Sequence, residues 1–453
     1  MAIKGAKRQV ALLASSNLVL QLMGFVYRMQ LTKYAGAEAL GLNSLIMQIY
    51  SLVVSVCISG LSVSVTACAA RLTGGGAAEQ DTPQRNINSL GSRMHGLIKK
   101  AVAVYCGLWL LAALPIFFLR ERIAINALGS PGAGTTLAVM LVCIFMTGLE
   151  NVLKAAHMGS GLVGRCAASE LCEQAVRFAL VILMLINLPH EGRVRTSFFI
   201  MLGMTASEIV SVSFLSCSFI ASFGIRSANN AKSTAIAANN NGATYSEILK
   251  TALPASATAM ASTVFSAAAA LLLPGRLQAF GMLEQQALSL IGIMSTVAAP
   301  ITLFPMAAVA ALSSVLMPRI AARYSRGEGV KPTAFKALRV TALFGLAATL
   351  LIIPAAPAIS QRLFGTEAHI ALFAALGVKA VVIYLQVVSV AVLNGAKKQG
   401  IVLVYAIGGE LFQLVLMLLL TPVLGIYGYI AAMILGELLR LLCNIDAISA
   451  LPK

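Results

Sequence analysis

Charge is what this sequence has least of. Asp, Glu, Lys and Arg make up only 11% of its 453 residues, while 59% are hydrophobic. Soluble domains carry roughly 25% charged residues, so a soluble globular fold is excluded. Metal-site spacing is missing too. The eight cysteines (57, 68, 106, 143, 166, 172, 217, 443) form no CxxC pair, and the four histidines (95, 157, 190, 369) are scattered. Neither a zinc centre nor a disulfide framework is supported. Most of the cysteines sit in apolar runs, where the residue behaves as a small hydrophobe. No P-loop of the GxxxxGKS/T type is present, so nothing points to ATP, and no other cofactor is indicated.

What the chain does have is apolar length. Mean hydropathy is +0.88, and apolar runs of about 20 residues recur throughout. They place membrane spans at 10–31, 42–70, 97–119, 136–158, 166–188 and 196–221, then 248–273, 284–314, 337–359, 367–393, 400–421 and 424–446. The expected fold is therefore all-α and polytopic, with about twelve transmembrane helices. Lys4, Lys7 and Arg8 precede the first run as in a signal peptide, but the run is too long and lacks a clear cleavage site, so it reads as a retained span. The net charge of +17 does not mean nucleic acid, because no compact basic domain exists to bind it. Of the 33 basic residues, 22 fall in loops on the amino-terminal side of the membrane, 7 in the opposite loops and 4 inside spans. That bias puts both termini in the cytoplasm and the protein in the cytoplasmic membrane.

The spans divide into two sets of six. Residues 223–247, rich in Asn and Ala, read as a flexible cytoplasmic linker between an amino-terminal lobe (1–222) and a carboxy-terminal lobe (248–453). An offset of 236 brings span starts into approximate register and pairs Gly159 with Gly395 and Gly164 with Gly400. Repeats of this kind are common in transporters, with the substrate site between the halves. In the long basic loop at 71–100, Ile87, Leu90, Met94, Leu97 and Ile98 share one face, which predicts an interfacial helix. Pro254, Pro300, Pro305 and Pro318 are expected to interrupt the seventh and eighth spans.

Polar residues inside spans point to function. Asn17, Gln21, Gly24 and Arg28 are spaced by four, three and four, which is one helical face. Arginine in hydrocarbon costs at least about 2.5–3.5 kcal/mol, so the stripe is expected to face other helices or a wet cavity. A second constellation joins the fourth and fifth spans. Glu150, Lys154 and His157 share one face, and Glu170, Glu173 and Arg177 share another. The connection MGSGLVG (158–164) is short, so the two helices run antiparallel. Folding about 161 and 162 sets Lys154 opposite Glu170, and Glu150 near Glu173 and Arg177. This is either a self-neutralising ion-pair network or a polar wall of a transport path, and one of its carboxylates is a candidate for a coupling proton. No metal ligand set is recognised. Glu410 with Gln413, and Glu437 with Arg440, read as local pairs, and Lys379 as interfacial.

Several stretches resemble a known family. GFVYR (24–28) with GAEALGL (36–42) resembles the opening signature of the stage V sporulation protein B family. SELCEQAVR (169–177) is similar to its fifth span. LLPGRLQAFG (272–281) and LFPMAAVAALSSVLMPRIA (303–321) are similar to its seventh and eighth. That family belongs to the superfamily of multidrug, oligosaccharidyl-lipid and polysaccharide exporters, close to the lipid II flippases. The resemblance implies two six-helix lobes around a central cavity and a polyprenyl-linked saccharide cargo such as a peptidoglycan precursor, for cell wall or spore cortex. The lipid II flippases carry a cavity arginine on the eighth span, whereas MSTVAAPITLF (294–304) has no basic residue, which leaves the cargo open.

Such a cargo suits the polar residues. A diphosphate headgroup needs cations, and Arg28, Arg177, Arg276 and Lys154 can supply them, since guanidinium matches phosphate in geometry. Asn17 and Gln21 would serve the sugar or nearby water. Moving an anion outward from a negative interior is favoured by about 2.3 kcal/mol per charge per 100 mV. The expected partners are the lipid-linked saccharide, membrane lipids and cell-wall synthesis proteins. Three rivals stay open: a cation-coupled multidrug antiporter of the same fold, a membrane enzyme acting on lipid-linked sugars, and a non-transporting scaffold. The enzyme is disfavoured because the loop at 32–41 offers only Glu38.

Overall fold

The structure is a computed structural model, which describes residues 2–74, 83–188, 192–223, 245–365 and 370–451. Among these residues the only regular elements are helices, as a bilayer demands of any chain that cannot close into a barrel: each backbone amide must be satisfied within its own segment. The order is α1 (Ala2–Ala35), α2 (Ala37–Cys57), α3 (Ser59–Gly74), α4 (Pro83–Asn126), α5 (Gly134–Gly159), α6 (Val163–Asn187) and α7 (Arg193–Phe223). Then come α8 (Tyr245–Ala279), α9 (Glu284–Gly292), a π-helical stretch (Ile293–Ala298), α10 (Ala299–Thr302), α11 (Met306–Ser325) and α12 (Lys331–Ile359), which runs into a second π-helical stretch (Ser360–Phe364). The chain ends with α13 (Ile370–Gly395), α14 (Gln399–Leu424) and α15 (Ile426–Ser449). Nine helices among the described residues are long and apolar enough to cross a membrane. The first, fifth and seventh expected spans correspond to α1, α6 and α8. α6 stands apart from the nine because it carries Arg165, Glu170, Glu173 and Arg177.

Several details differ from the sequence reading. The amphipathic segment before the third span is not a separate interfacial helix; it is the start of α4, a single helix of 44 residues. At about 1.5 Å per residue, α4 is roughly twice as long as a hydrocarbon core is thick. Of the four prolines expected to break spans seven and eight, two do so. Pro300 opens α10 and Pro305 caps α11, whereas Pro254 and Pro318 sit inside continuous helices. The eighth span is therefore broken by a π-helical stretch and a turn, an irregularity that frequently marks functional sites. All eight cysteines are free thiols.

The chain forms two compact units, Met1–Gly24 with Ile49–Asn126 and Ser130–Thr263, and Phe25–Gln48 with Ala127–Gly129 and Val264–Lys453. The boundary lies inside α8 rather than at 223–247, a stretch of which 224–244 lie outside the described residues. The reassignment of 25–48 has a steric basis. A β-carbon on Gly41 would overlap the carbonyl of Leu288, and one on Gly292 would overlap that of Ala37. α2 and α9 thus meet backbone to backbone, which ties the start of α2 to the second unit.

Each unit is built on the same plan. In the first, α7 packs on α5 and α6, and α5 also packs on α3 and α4. In the second, α15 packs on α13 and α14, and α13 on α11 and α12. Gly159 and Gly395 do the same job in both. A β-carbon on Gly159 would strike Thr66 and Ala69 of α3, and one on Gly395 would strike Met317 and Ile320 of α11. Two residues later the backbone turns left-handed in both, at Gly161 (φ 76°) and Lys397 (φ 59°). A further pair exchanges volumes. The Tyr105 ring of α4 fills the space over Gly148 of α5, with its hydroxyl donating to the Ile144 carbonyl at 2.5 Å. At the equivalent positions the second unit has Thr341 and Tyr384, so the tyrosine has changed helices, and its hydroxyl donates to the Thr302 carbonyl at 2.8 Å. Gly164 and Gly400, the second sequence-matched pair, have open space around them.

Gly159→Val and Gly395→Val should each lower the stability of the purified protein by about 1–3 kcal/mol, as overpacking does. Gly164→Ala and Gly400→Ala should leave it unchanged or raise it by less than about 1 kcal/mol. Melting temperatures in one detergent decide the matter; equal losses at all four positions would contradict the shared packing role.

Candidate functional site

The densest polar chemistry lies inside the first unit, where α5, α6 and α7 meet. Helical periodicity stacks Glu150 over Lys154 on α5, and Glu170, Glu173 and Arg177 along α6. The short turn after Gly159 then faces the two sets. The Lys154 ammonium reaches Glu150 Oε1 at 2.8 Å, Glu170 Oε1 at 3.4 Å and Glu173 Oε2 at 3.8 Å. Lys154 therefore stands opposite Glu170, as the fold-back about 161 and 162 predicts. Arg177 pairs with Glu173 and donates through Nε to Ser207 Oγ at 3.2 Å.

α7 adds a carboxylate that sequence reasoning missed. Glu208 lies 3.4 Å from Arg177 Nη2. Ser211, one turn further along α7, donates to Glu150 and shares a hydrogen bond of 2.6 Å with Ser169 of α6. A signal was available: Glu208 is the only acidic residue in the 31 residues of α7, and a lone carboxylate in a span is a functional candidate by default. Glu150, Glu173 and Glu208 are all buried, with one carboxylate oxygen from each lying within 4.8 Å of the others. That spacing would suit a cation, but Lys154 and Arg177 already occupy these carboxylates. A hard divalent ion, which wants six or more oxygens, would have to displace both. Three buried carboxylates against two cations leave one negative charge over.

His157 does not join this network. It shares a face with Glu150 but sits two turns away, about 10 Å along the axis. Its ring is fully buried, with Nδ1 bonded to the Leu153 carbonyl at 2.8 Å and Nε2 to Ser218 Oγ at 3.0 Å. Arg165 donates to the Ser218 carbonyl at 3.0 Å. The two residues thus pin the ends of α5 and α6 to α7.

The opening stripe is not one uniform surface. Gln21 is exposed and belongs to the first unit; Arg28 is exposed and belongs to the second. The side chain of Asn17 lies outside the described residues. Arg28 takes part in none of the ion pairs found among the described residues. Beside it Phe25 packs edge-on against Phe304 and Phe364 at 5.9 and 5.6 Å. Arg276 is half-buried in the last turn of α8.

The second unit carries a different polar set. Arg440, inside α15, bridges Glu410 and Glu437, at 2.8 Å to each. Asn444 donates to Gln386 Oε1 at 3.2 Å and to Ser389 Oγ at 3.1 Å. Lys379 points at Met433 Sδ, 3.4 Å away, rather than to an interface.

Solved structures match this architecture over nearly the whole chain. The inward-facing conformation of a multidrug resistance MATE family transporter of the MOP superfamily aligns with a TM-score of 0.72 at 16% identity, over 96% of this chain and 98% of that one. The fold is that of the MOP-superfamily transporters. Lipid II flippase MurJ, in an inward closed conformation, aligns with a TM-score of 0.66 at 12% identity, over 97% of this chain and 87% of that one. A MOP superfamily transporter from Pyrococcus furiosus, described as having a binding pocket of reverse polarity, aligns at 0.57 and 17% identity over 98% and 96%. No family model and no curated protein matches the sequence.

Removing one partner of a buried pair is costly, about 3–5 kcal/mol. Lys154→Met should therefore destabilise the protein by that much, and adding Glu150→Met should recover part of the loss. Exposed Lys336→Met serves as control. Denaturant midpoints in mixed micelles measure both; a Lys154→Met protein as stable as the control would mean the network contributes nothing.

Proposed function

We propose that the protein is a flippase that moves a polyprenyl-diphosphate-linked saccharide, a peptidoglycan precursor such as lipid II, across the cytoplasmic membrane by alternating access, with both termini cytoplasmic. One observation carries the proposal: Arg28 is exposed on a membrane helix and takes part in no ion pair found among the described residues. A guanidinium there costs energy unless an anion or water meets it, and a diphosphate matches its geometry. Lys154 and Arg177 are already held by carboxylates. Of the four candidate cations, Arg28 and Arg276 are thus the ones assigned to the headgroup, and both belong to the second unit. Asn17 and Gln21 are assigned to the sugar or its water. The similarity to a structure named as a lipid II flippase supports the cargo class, as does the resemblance of residues 24–42 to the stage V sporulation protein B family. Cell-wall synthesis proteins would then supply and consume the cargo on the two sides.

A second reading is favoured by a different observation. The excess carboxylate among Glu150, Glu173 and Glu208 suits a cation-coupled antiporter of the same fold, and another similar structure is named as a multidrug resistance transporter.

Reconstitution into liposomes separates the two. With labelled lipid II or an undecaprenyl-linked glycan, the wild-type protein should expose cargo on the far side. Arg28→Ala should reduce the rate at least tenfold with folded protein unchanged, and Arg28→Lys should restore part of it. Full activity in Arg28→Ala would remove the assigned role. Uptake of a cationic dye driven by an ion gradient, with no lipid flipping, would favour the antiporter.

A further inference from the structure

The two units place different chemistry at equivalent positions, and the difference identifies a proton. At the offset of 236, Glu150 corresponds to Gln386 and Glu208 to Asn444. In the second unit the two side chains are joined directly: the Asn444 amide donates to Gln386 Oε1 at 3.2 Å, and Asn444 Oδ1 is buried with no hydrogen-bond partner. In the first unit one carboxylate oxygen of Glu150 and one of Glu208 lie within 4.8 Å of each other, and Glu208 Oε2 is likewise buried with no hydrogen-bond partner among the described residues. Both glutamates are 3% exposed. Two carboxylates at this separation have no N–H between them. They can form the bond that the amides form only if one of them carries a hydrogen.

We infer that Glu150 and Glu208 share a single proton, carried on Glu208 and donated to Glu150, and that the Gln386–Asn444 pair is a neutral replica of that protonated pair. The surrounding groups select Glu208 as the carrier. Glu173 is engaged by Arg177 through Oε1 and lies 3.8 Å from Lys154 through Oε2. Glu150 accepts from Lys154 and from the Ser211 hydroxyl. Glu208 has only the longer approach of Arg177, at 3.4 Å. Among the described residues the remaining ionisable groups near it are Tyr50 of α2 and Cys143 of α5, which supply no charge near pH 7. Glu170, the other carboxylate on Lys154, is partly solvent-exposed at 36% of its side chain. One proton cancels the single excess charge among the three buried carboxylates. The amide pair needs none, so the second unit keeps the contact and loses the titration. This assignment holds whichever cargo the protein carries.

Infrared difference spectroscopy on the purified full chain at pH 7, without cargo, tests it. The wild-type protein should show a protonated-carboxyl C=O band that moves in heavy water and is absent from Glu208→Gln. Glu150→Gln should lose the same band, because Glu208 can then ionise against the new amide. The double variant Glu150→Gln/Glu208→Asn installs the second unit's own residues, so it should fold even if a single variant does not. It should lose one protonated-carboxyl equivalent per chain, the same as each single variant. Loss of band intensity equal to two protonated carboxyls in the double variant would overturn the sharing. A band retained in all three would place the proton elsewhere and overturn the assignment.

Discussion

A single ammonium group, that of Lys154, holds carboxylates from two helices, and the architecture of the first unit follows from what it cannot release. Within a bilayer the backbone satisfies itself by becoming helical, so the remaining cost lies in side-chain charge. Burying one carboxylate without a partner costs several kcal/mol. Glu150, Glu173 and Glu208 can stay buried only if α5, α6 and α7 keep their present register, because each cation serves more than one acid. The packing agrees with this. Ser169 and Ser211 meet at 2.6 Å, and Gly203 of α7 lies so close to Val181 of α6 that a β-carbon there would overlap it. Small residues bring the helices near enough for short side chains to share hydrogen bonds. The polar network and the close approach are thus two sides of one constraint.

Much of this was legible in the residues, and what was not has physical reasons. The apolar runs gave the positions of the nine helices among the described residues that are long and apolar enough to cross a membrane, because a span has a fixed minimum length. The pairing of Lys154 with Glu170 was legible because a seven-residue connection leaves antiparallel helices only one way to face each other. Glu208 was missed because it lies on a helix whose approach to α5 and α6 is a tertiary fact; spacing along one helix says nothing about the third. His157 was placed in the network by angle alone, and its distance along the axis defeats that reading. The unit boundary was set by composition at 223–247, whereas compactness is set by contacts such as Gly41 on Leu288 and Gly292 on Ala37. Those depend on which helices meet, and no local pattern records it. The break in the eighth span was half legible: Pro300 and Pro305 mark it, but Pro254 and Pro318 look the same in sequence and leave their helices continuous.

The repeat shows which features a fold of this kind must keep. Where backbone meets backbone, at Gly159 and Gly395, the two units agree in residue and in contact. Where a large side chain fills a gap, at Tyr105 over Gly148 and at Tyr384 beside Gly345, they agree in volume but not in which helix supplies it. Where polar groups meet, they agree only in pairing a cation with more than one acid. One unit matches Lys154 and Arg177 to four acids; the other matches Arg440 to two and closes the rest with amides. Steric repulsion rises steeply as atoms approach and tolerates no substitute, while an electrostatic requirement can be met by more than one set of groups. At equivalent positions the first unit sets Glu150 and Glu208 where the second sets Gln386 and Asn444, and that exchange of amides for acids is where a proton has a reason to bind. A membrane protein built from two equivalent units can in this way carry a titratable pair at a position where the other carries amides, without altering the scaffold that both depend on.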